Sequence, residues 1–404
     1  MRHTFYFAQI GGAYFEYGSI HIYVSDIILI GLLACWLAAP WKKTEWGPKA
    51  ILWPLLAWLA WQMVSIVWAQ DRLAAIWHVA EWGLWGAGYL YVINRVKSAS
   101  HLLWPLVIGI GVQAGVGIIQ YIRNSSLGLQ AVGESVLNIA QGGVPVLVSG
   151  VIHRIRAAGL TPHANIFGGL LAIGSMWLLA VTQNKKITSW IVALGVLVAA
   201  GLALSFSRTA WVVWLVGLAL GFVLTRVKVG RLLSFIMLVV WLMVLGSQWH
   251  WVTGRFDLTQ RLEAKSVSDR VSSVATASGV WQKHPLIGTG AGNYTQELIT
   301  GDQPVRPGWA YQPVPDIYLL ILGELGVVGL ALWLWLTGAV GWLAINLYRQ
   351  KRISWWAFWS LVSWYGFGII DHWPISLHQG WVMWFLAMGL LILESRLTYK
   401  PEGE

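Results

Sequence analysis

An arginine between two apolar runs is the first residue in this chain that suggests chemistry. Arg208 stands in SFSRTAW (205–211), where a charge beside two bilayer-length apolar segments is costly and marks a functional candidate. Its neighbours Ser205, Ser207 and Thr209 favour a hydrated pocket, although an arginine that extends to lipid headgroups is the competing interpretation. Since a guanidinium grips phosphate or carboxylate through two hydrogen bonds, we predict an anion site here.

A second polar group lies just before another apolar run, in RAAGLTPHAN (156–165). Arg156, His163 and Asn165 are its candidate binding residues. The stretch from Pro162 to Asn165 is predicted to begin a helix, and the free N–H groups of a helix start favour anions. Helix capping alone explains Asn165 equally well.

Acidic and histidine side chains form the third group. Asp316 in PVPDIYLL stands beside proline at a predicted helix start, where it caps the helix. Glu324 follows about two turns later, so we expect it on the same face. Asp371 and His372, with His378, form a late polar turn in a supporting position.

The segment between these groups is rich in glycine. SDRVSS puts Arg270 in a polar, helical segment ahead of HPLIGTGAGNY (284–294), which begins with His284. The glycines allow close approach of backbone, but no strand precedes them, so the segment is read as a turn beside the membrane rather than a nucleotide loop. No His, Cys, Asp and Glu set has metal-ligand spacing, so we predict neither a zinc site nor a cofactor.

The elements that position these groups are apolar helices. The chain is 57% hydrophobic and 11% charged, whereas soluble domains carry about 25% charged residues. Apolar stretches of about 20 residues recur throughout, long enough to cross a bilayer. We therefore predict an all-α polytopic membrane protein with about 11 spans (10–12), at 25–40, 50–68, 74–92, 102–121, 165–182, 188–205, 210–225, 232–248, 317–346, 354–370 and 380–395. Residues 1–24 are expected in the interface or entering it.

Basic loops set the predicted orientation. WKKTEWGPK, NRVK, QNKK, TRVKVGR and YRQKR fall on one side, which the positive-inside rule makes cytoplasmic. Residues 1–404 then form a single transmembrane domain in the cytoplasmic (inner) membrane. Its large loop at 249–316 and the candidate site lie on the extracytoplasmic face.

Arginine is unusually frequent on that outer face. The predicted outer set holds ten arginines and two lysines: Arg2, Arg72, Arg123, Arg154, Arg156, Arg208, Arg255, Arg261, Arg270, Arg306, Lys265 and Lys283. Some are expected to pair with the acids of the loop, Asp257, Glu263, Asp269, Glu297 and Asp302. The net charge of +10 is spread over many short loops, so nucleic acid is not an expected partner. The 30 tryptophans are expected chiefly as interfacial anchors.

The ordered motifs resemble the O-antigen ligase and O-antigen polymerase family. The similar parts are RAAGLTPHAN, SFSRTAW, HPLIGTGAGNY, YLLILGELGVVG (318–329) and the DHW…QG turn (371–380), and they cover roughly residues 150–380.

The resemblance implies a metal-independent glycosyltransferase of the lipid-sugar-dependent type. Its donor is a glycan on undecaprenyl diphosphate, and its acceptor is a lipid or a second glycan. By resemblance, Arg208 and Arg270 hold the donor diphosphate and stabilise the charge that develops as it leaves.

One position departs from the family pattern. The family has His-Asn before the YL pair, whereas Pro315 and Asp316 stand there in this chain. Asp316, His284 and His372 are the candidates to replace that histidine, with Asp316 favoured as base.

The sequence is compatible with several functions. Ligation to an acceptor leads, and polymerisation of lipid-linked glycan units is the alternative within enzymes. A transporter is expected to show a symmetric internal repeat with broken helices, and the sequence shows neither. The missing histidine gives some weight to a noncatalytic scaffold.

Overall fold

The chain is mostly helical. The computed structural model describes residues 2–40, 43–137, 144–149, 152–183, 186–225, 227–255, 261–301 and 304–397, without the side chains of 261–267. Its helices are α1 Val24–Ala38, α2 Lys49–Ser65, α3 Arg72–Arg95, α4 Ala99–Arg123, α5 Ala164–Thr182, α6 Ser189–Leu204, α7 Arg208–Leu224, α8 Lys228–Ser247, α9 Trp249–Gly254, α10 Arg261–Lys283, α11 Tyr294–Thr300, α12 Ile317–Arg349, α13 Trp355–Gly368, α14 Trp373–Ser376 and α15 His378–Leu397.

A helix occupies each of the eleven predicted apolar segments. Among the described residues, four helices are long and apolar enough to cross a membrane, namely α4, α5, α8 and α12. Helices α1, α6 and α7 are apolar but shorter. The membrane-type helical fold is therefore present, and the number of about 11 spans stays a prediction.

The all-α prediction was wrong in detail, because the described chain contains six short strands. They are β1 Arg2–Tyr6, β2 Gln9–Ile10, β3 Ala13–Tyr14, β4 Ile20–Tyr23, β5 Val146–Ser149 and β6 Ile152–Ile155, paired antiparallel as β1–β4, β2–β3 and β5–β6. Gly11 and Gly12 form the β2–β3 turn with positive φ, which suits a two-residue hairpin loop. The sequence predicted residues 1–24 either in the membrane interface or entering it. The structure shows that residues 2–23 contain the paired strands β1–β4.

The chain divides into two compact units. The first comprises Met1–Val96, Ser268–Arg349 and Gly368–Ile392. Its core contains a tryptophan cluster, in which the ring of Trp333 lies 5.0 Å from that of Trp58, 6.0 Å from that of Trp82 and 5.7 Å from that of Trp384. Such aromatic pairs add to burial energy, so these residues build the core.

The second unit comprises Lys97–Val267, Gln350–Phe367 and Leu393–Glu404. Helix α5 lies at its centre, packed by α4, α6, α7 and α8. Almost every residue of α5 is buried, as expected for a helix that is apolar on all sides.

Interfacial anchoring does not account for all of the tryptophans. Among the tryptophans that the structure describes, seven are less than 2% exposed: Trp82, Trp214, Trp333, Trp356, Trp364, Trp373 and Trp384. These indoles pack inside the protein, so the expectation of a mainly interfacial role was too simple.

The predicted outer loop 249–316 contains helices α9, α10 and α11, and α10 confirms the helical reading of SDRVSS. Lys283 pairs with Glu297 at 2.7 Å, one of the acid partners expected in this loop. Asp257 and Asp302, and the side chains of Arg261, Glu263 and Lys265, lie outside the described residues.

Candidate functional site

Arg208 is the first residue of α7 and follows a tight turn from α6. Phe206 has a positive φ of 48° in this turn, a conformation that non-glycine residues adopt rarely. The guanidinium of Arg208 is half-buried, and its Nη1 donates to the carbonyl oxygen of Arg255 at 2.6 Å. A cation at a helix start is unfavourable beside the positive end of the helix dipole, so this position favours a nearby anion.

Arg156 stabilises the turn between α6 and α7. Its Nε donates to the carbonyl oxygen of Ser205 at 2.8 Å, and its Nη2 donates to that of Phe206 at 3.2 Å. Since Arg156 is only 5% exposed, the structure gives it a positioning role for Arg208. Its predicted contact with substrate stays a prediction.

His163 and Asn165 connect α5 to the same arginine. His163 is the N-cap of α5, and its Nδ1 accepts from the backbone N–H of Asn165 at 3.1 Å. Asn165 Oδ1 in turn accepts from Arg156 Nη2 at 2.7 Å. The predicted helix start is confirmed, and these contacts add α5 to the support of the Arg208 turn.

Arg154 and Arg255 make contacts that the sequence did not predict. The guanidinium of Arg154 lies 4.5 Å above the ring of Tyr121, and the Tyr121 hydroxyl donates to Gln248 at 2.6 Å. The Arg255 carbonyl, as described above, accepts from Arg208. In both contacts the partners are far apart in the sequence, so spacing rules could not predict them.

In the first unit, the glycine-rich segment 284–294 docks on α12. The N–H groups of Thr289 and Gly290 donate to the carbonyls of Gly323 and Glu324 at 3.0 and 2.7 Å. Gly326 has a φ of 67° inside α12 and kinks the helix at this contact. The glycines thus serve close backbone approach, as predicted, and the approached partner is α12.

We expect Gly326→Ala to disrupt this docking. A Cβ at Gly326 would collide with the backbone carbonyl of Leu286, in a conformation that side chains rarely adopt. Backbone strain of this kind costs about 1–3 kcal/mol, so the melting temperature of the purified protein should fall clearly. Gly338→Ala is the matched control, because Gly338 lies in the same helix and an added Cβ there meets nothing within 4 Å. Equal melting temperatures for the two variants would contradict the role assigned to the kink.

Asp316 caps α12, as its sequence context predicts. Its Oδ1 accepts from the N–H groups of Tyr318 and Leu319 at 2.7 and 2.9 Å. The side chain is half-buried, and no described residue donates to Oδ2. Oδ2 is therefore the carboxylate oxygen without a hydrogen-bond donor among the described residues.

Glu324 is buried and turns to the glycine segment. Its Oε2 accepts from the N–H of Gly292 at 3.1 Å. Asp316 and Glu324 thus have different partners, so the expected shared face does not produce a carboxylate pair bonded to one group.

Arg270 and His284 are both exposed. Arg270 lies on the polar helix α10, and His284 follows the end of that helix. The backbone of His284 starts the glycine segment, because its carbonyl accepts from the N–H of Gly288 at 2.9 Å. Their predicted roles in diphosphate binding and catalysis stay predictions.

Asp371 and His372 start the short helix α14. Asp371 Oδ1 accepts from the N–H of His372 at 2.8 Å, and His372 Nδ1 lies 2.6 Å from the Ser376 hydroxyl. Burial lowers the pKa of His372, although Asp371 acts in the opposite direction. The imidazole is therefore neutral at neutral pH.

Sequence spacing missed one buried cluster in the first unit. Asp26, Glu81 and His378 bring donor atoms within 4.8 Å of one another, contrary to the reading that no such set exists. Asp26 is already engaged, because it accepts from the N–H of Tyr23 at 2.9 Å and from the indole of Trp85 at 3.2 Å. Each Asp26 oxygen keeps a further lone pair, so these contacts do not exclude a cation.

The apolar helices define a membrane protein, and residues 193–334 match the family model described as O-Antigen ligase. This segment is therefore similar to O-antigen ligases, in agreement with the resemblance of its motifs. A comparison with curated proteins finds no match.

The matched segment is narrower than the predicted resemblance. It contains Arg208, Arg270, His284, Asp316 and Glu324, together with the glycine segment. Predicted site residues outside it are Arg156, His163, Asn165, Asp371 and His372. The family match therefore supports an O-antigen ligase-type function through the first group alone.

Proposed function

We propose that this protein transfers a glycan from undecaprenyl diphosphate to an acceptor hydroxyl on the outer face of the cytoplasmic membrane. The acceptor oxygen attacks the anomeric carbon of the donor sugar, and the bond from that carbon to the diphosphate oxygen breaks. The acceptor proton passes to a carboxylate, and undecaprenyl diphosphate leaves with the bonding electrons. The O-antigen ligase match over residues 193–334 supports this reaction class.

The observation that carries the proposal is Arg208 at the start of α7. The cationic side chain adds to the positive end of the helix dipole, which is a favourable setting for a diphosphate. The buried Arg156 fixes the preceding turn through the carbonyls of Ser205 and Phe206. A guanidinium that is held in place stabilises leaving-group charge without reorganising during the reaction. Arg270, exposed on α10, is the proposed second diphosphate ligand.

Asp316 is the proposed base. Its Oδ1 is bonded to two backbone N–H groups, which fixes the carboxylate, and its Oδ2 faces no described donor. A fixed carboxylate within hydrogen-bond reach of the acceptor hydroxyl can take its proton. Asp316 then replaces the histidine of the family pattern, which Pro315 cannot.

Polymerisation is the second candidate function. It uses the same donor chemistry and differs in the acceptor, which is then another lipid-linked glycan. The same family match supports both reactions.

Mass spectrometry of envelope glycans, with and without the gene, tests the proposal. We expect deletion to accumulate a diphosphate-linked glycan and to remove its transferred product. Loss of transferred glycan of every length, with long lipid-linked chains retained, identifies ligation. Loss of the long chains alone, with single units still transferred, identifies polymerisation. Unchanged lipid-linked and transferred glycans would reject the transferase.

The membrane orientation gives a separate prediction. In a Cys35→Ser background, Ser272→Cys on α10 should react with an impermeant maleimide added to intact cells, and Lys186→Cys should react only after permeabilisation. Ser272 and Lys186 are both exposed, so burial does not confound the comparison. Removing Cys35 is needed because it is exposed. If Lys186→Cys reacts in intact cells and Ser272→Cys reacts only after permeabilisation, the large loop lies on the cytoplasmic side. That result would reject the outer-face proposal.

A further inference from the structure

We propose that a cavity in the first unit holds the acceptor sugar, and that it takes sugars without phosphate or carboxylate groups. The inference rests on the glycan transfer proposed above. The cavity contains about 780 Å³ of empty space, part of it open to solvent. It is lined by the 16–23 segment, α3, the glycine segment, the start of α12 and the residues around α14 and α15.

The charge of the lining selects against anions. No lysine or arginine is among the described lining residues, whereas Glu16, Glu81 and Glu324 are. Glu16 forms an ion pair with Arg2, which partly offsets its charge. Glu81 and Glu324 are buried, so an anion beside them would lose its water without gaining a cationic partner, which is strongly unfavourable. The diphosphate therefore has no matching partner here, in contrast to the arginine turn of the second unit.

Aromatic side chains form walls suited to a sugar ring. Tyr17, Tyr23, Trp77 and Trp381 line the cavity. The ring of Tyr23 stacks on that of His378, with centroids 3.8 Å apart and planes at 12°. A sugar has apolar C–H faces and a polar rim, so it fits a pocket with aromatic walls and a few convergent polar groups.

One polar atom in the cavity wall has no hydrogen-bond partner among the described residues. His378 is 7% exposed, and its Nδ1 makes no hydrogen bond to any described residue. Glu81 Oε2 lies 3.8 Å from this nitrogen, too far for a hydrogen bond. A sugar hydroxyl both donates and accepts, so it can bridge His378 and Glu81 in either tautomer of the ring. Leaving such a buried group unsatisfied is unfavourable, and ligand binding would recover that cost.

The cavity also adjoins the proposed base. Pro313 and Leu320 line it, and they flank Asp316 in the chain at the start of α12. The acceptor is therefore expected beside the residue that takes its proton.

Saturation-transfer NMR on the full-length protein in nanodiscs tests the cavity. The probes are methyl glucoside, glucosamine, glucuronate and glucose 6-phosphate. We expect saturation-transfer signals for methyl glucoside and glucosamine. Glucuronate and glucose 6-phosphate should bind at least about tenfold more weakly. Equal binding of the anions would overturn the proposed selectivity.

Two variants assign the binding to this cavity. Trp77→Ala should weaken methyl glucoside binding by about tenfold or more, as expected for an aromatic anchor. Trp309→Ala is the matched control, because Trp309 belongs to the same unit but is 69% exposed and does not line the cavity. Glu81→Gln keeps side-chain size but replaces the carboxylate that faces His378 by an amide, so it should also weaken methyl glucoside binding. Unchanged binding in both Trp77→Ala and Glu81→Gln would refute the assignment.

A cation at Asp26, Glu81 and His378 is the competing outcome. If Mn²⁺ binds, displaces methyl glucoside and is lost in Glu81→Gln, the cluster is a metal site and the sugar proposal fails. The binding measurement needs no donor, so it is independent of the transferase test. Sugar binding without any envelope-glycan change would reject the proposed function alone. Glycan transfer without sugar binding would reject the cavity alone.

Discussion

Arg208→Ala should lower glycan transfer by about 10²–10³-fold, the loss seen when one preorganised charge-stabilising donor is removed. The physical reason is the position of Arg208, half-buried at the start of α7. In the proposed reaction, the developing negative charge of the departing diphosphate meets both the guanidinium and the helix dipole there. The measurement is conversion of lipid-linked glycan in membranes, followed by mass spectrometry.

Arg208→Lys separates charge from geometry. Lysine keeps the charge but lacks the planar fork that binds two phosphate oxygens, so we expect little recovery of transfer. A lysine variant close to wild-type activity would show that a point charge suffices and that bidentate binding is not needed.

The control for these variants is Arg123→Ala. Arg123 is an exposed arginine at the end of α4 in the same unit, and its removal should leave transfer unchanged. Protein level and melting temperature must be measured for each variant, because Arg208 also donates to the Arg255 carbonyl at 2.6 Å. Normal transfer by a stable Arg208→Ala protein would exclude the diphosphate role.

Helix positions were the most predictable part of the fold. The apolar run 165–182 became Ala164–Thr182, and the run 354–370 became Trp355–Gly368. Apolar length is a local property of the chain, so it can be read without knowing the tertiary contacts. The N-terminal strands were missed although Gly11-Gly12 is a hairpin signal, because residues 1–24 were considered only as lying in the membrane interface or entering it.

Residue types of the candidate site were predictable, but their partners were not. Arg156 reaches Ser205 and Phe206, which are 49 and 50 positions away. Glu324 bonds Gly292 from 32 positions away. Both contacts depend on how helices pack, which spacing rules do not capture. The sequence therefore identified Arg156 as a ligand candidate, whereas the structure adds its role in holding the Arg208 turn.

The Asp26, Glu81 and His378 cluster illustrates the same limit. Its members come from α1, α3 and α15, so no local motif joins them. A buried acid in an apolar run is the one available signal, since such residues are usually functional. Reading Asp26 and Glu81 in that way would have directed attention to the cavity in the first unit.

Asp316→Asn is expected to lower transfer by about 10²-fold or more while donor binding stays nearly unchanged. A positioned general base contributes about 10²–10⁴-fold, and asparagine cannot take the acceptor proton. The substitution is well matched to the structure, because Asn is also a good N-cap. Its side-chain oxygen can still accept from Tyr318 and Leu319, as Asp316 Oδ1 does at 2.7 and 2.9 Å. Helix α12 should therefore keep its start, and loss of activity would report the missing carboxylate.

Asp316→Ala and His284→Ala complete this experiment. Asp316→Ala removes both the cap and the base, so it should lower the transfer rate and also destabilise the protein. The lost cap should reduce the free energy of unfolding by about 1 kcal/mol, which a lower melting temperature would report. His284 is exposed after α10, and its removal should change the rate little. If Asp316→Asn turns over normally and His284→Ala does not, the histidine is the base. If both variants turn over normally, no base is required, and the arginines must account for catalysis by stabilising the departing diphosphate.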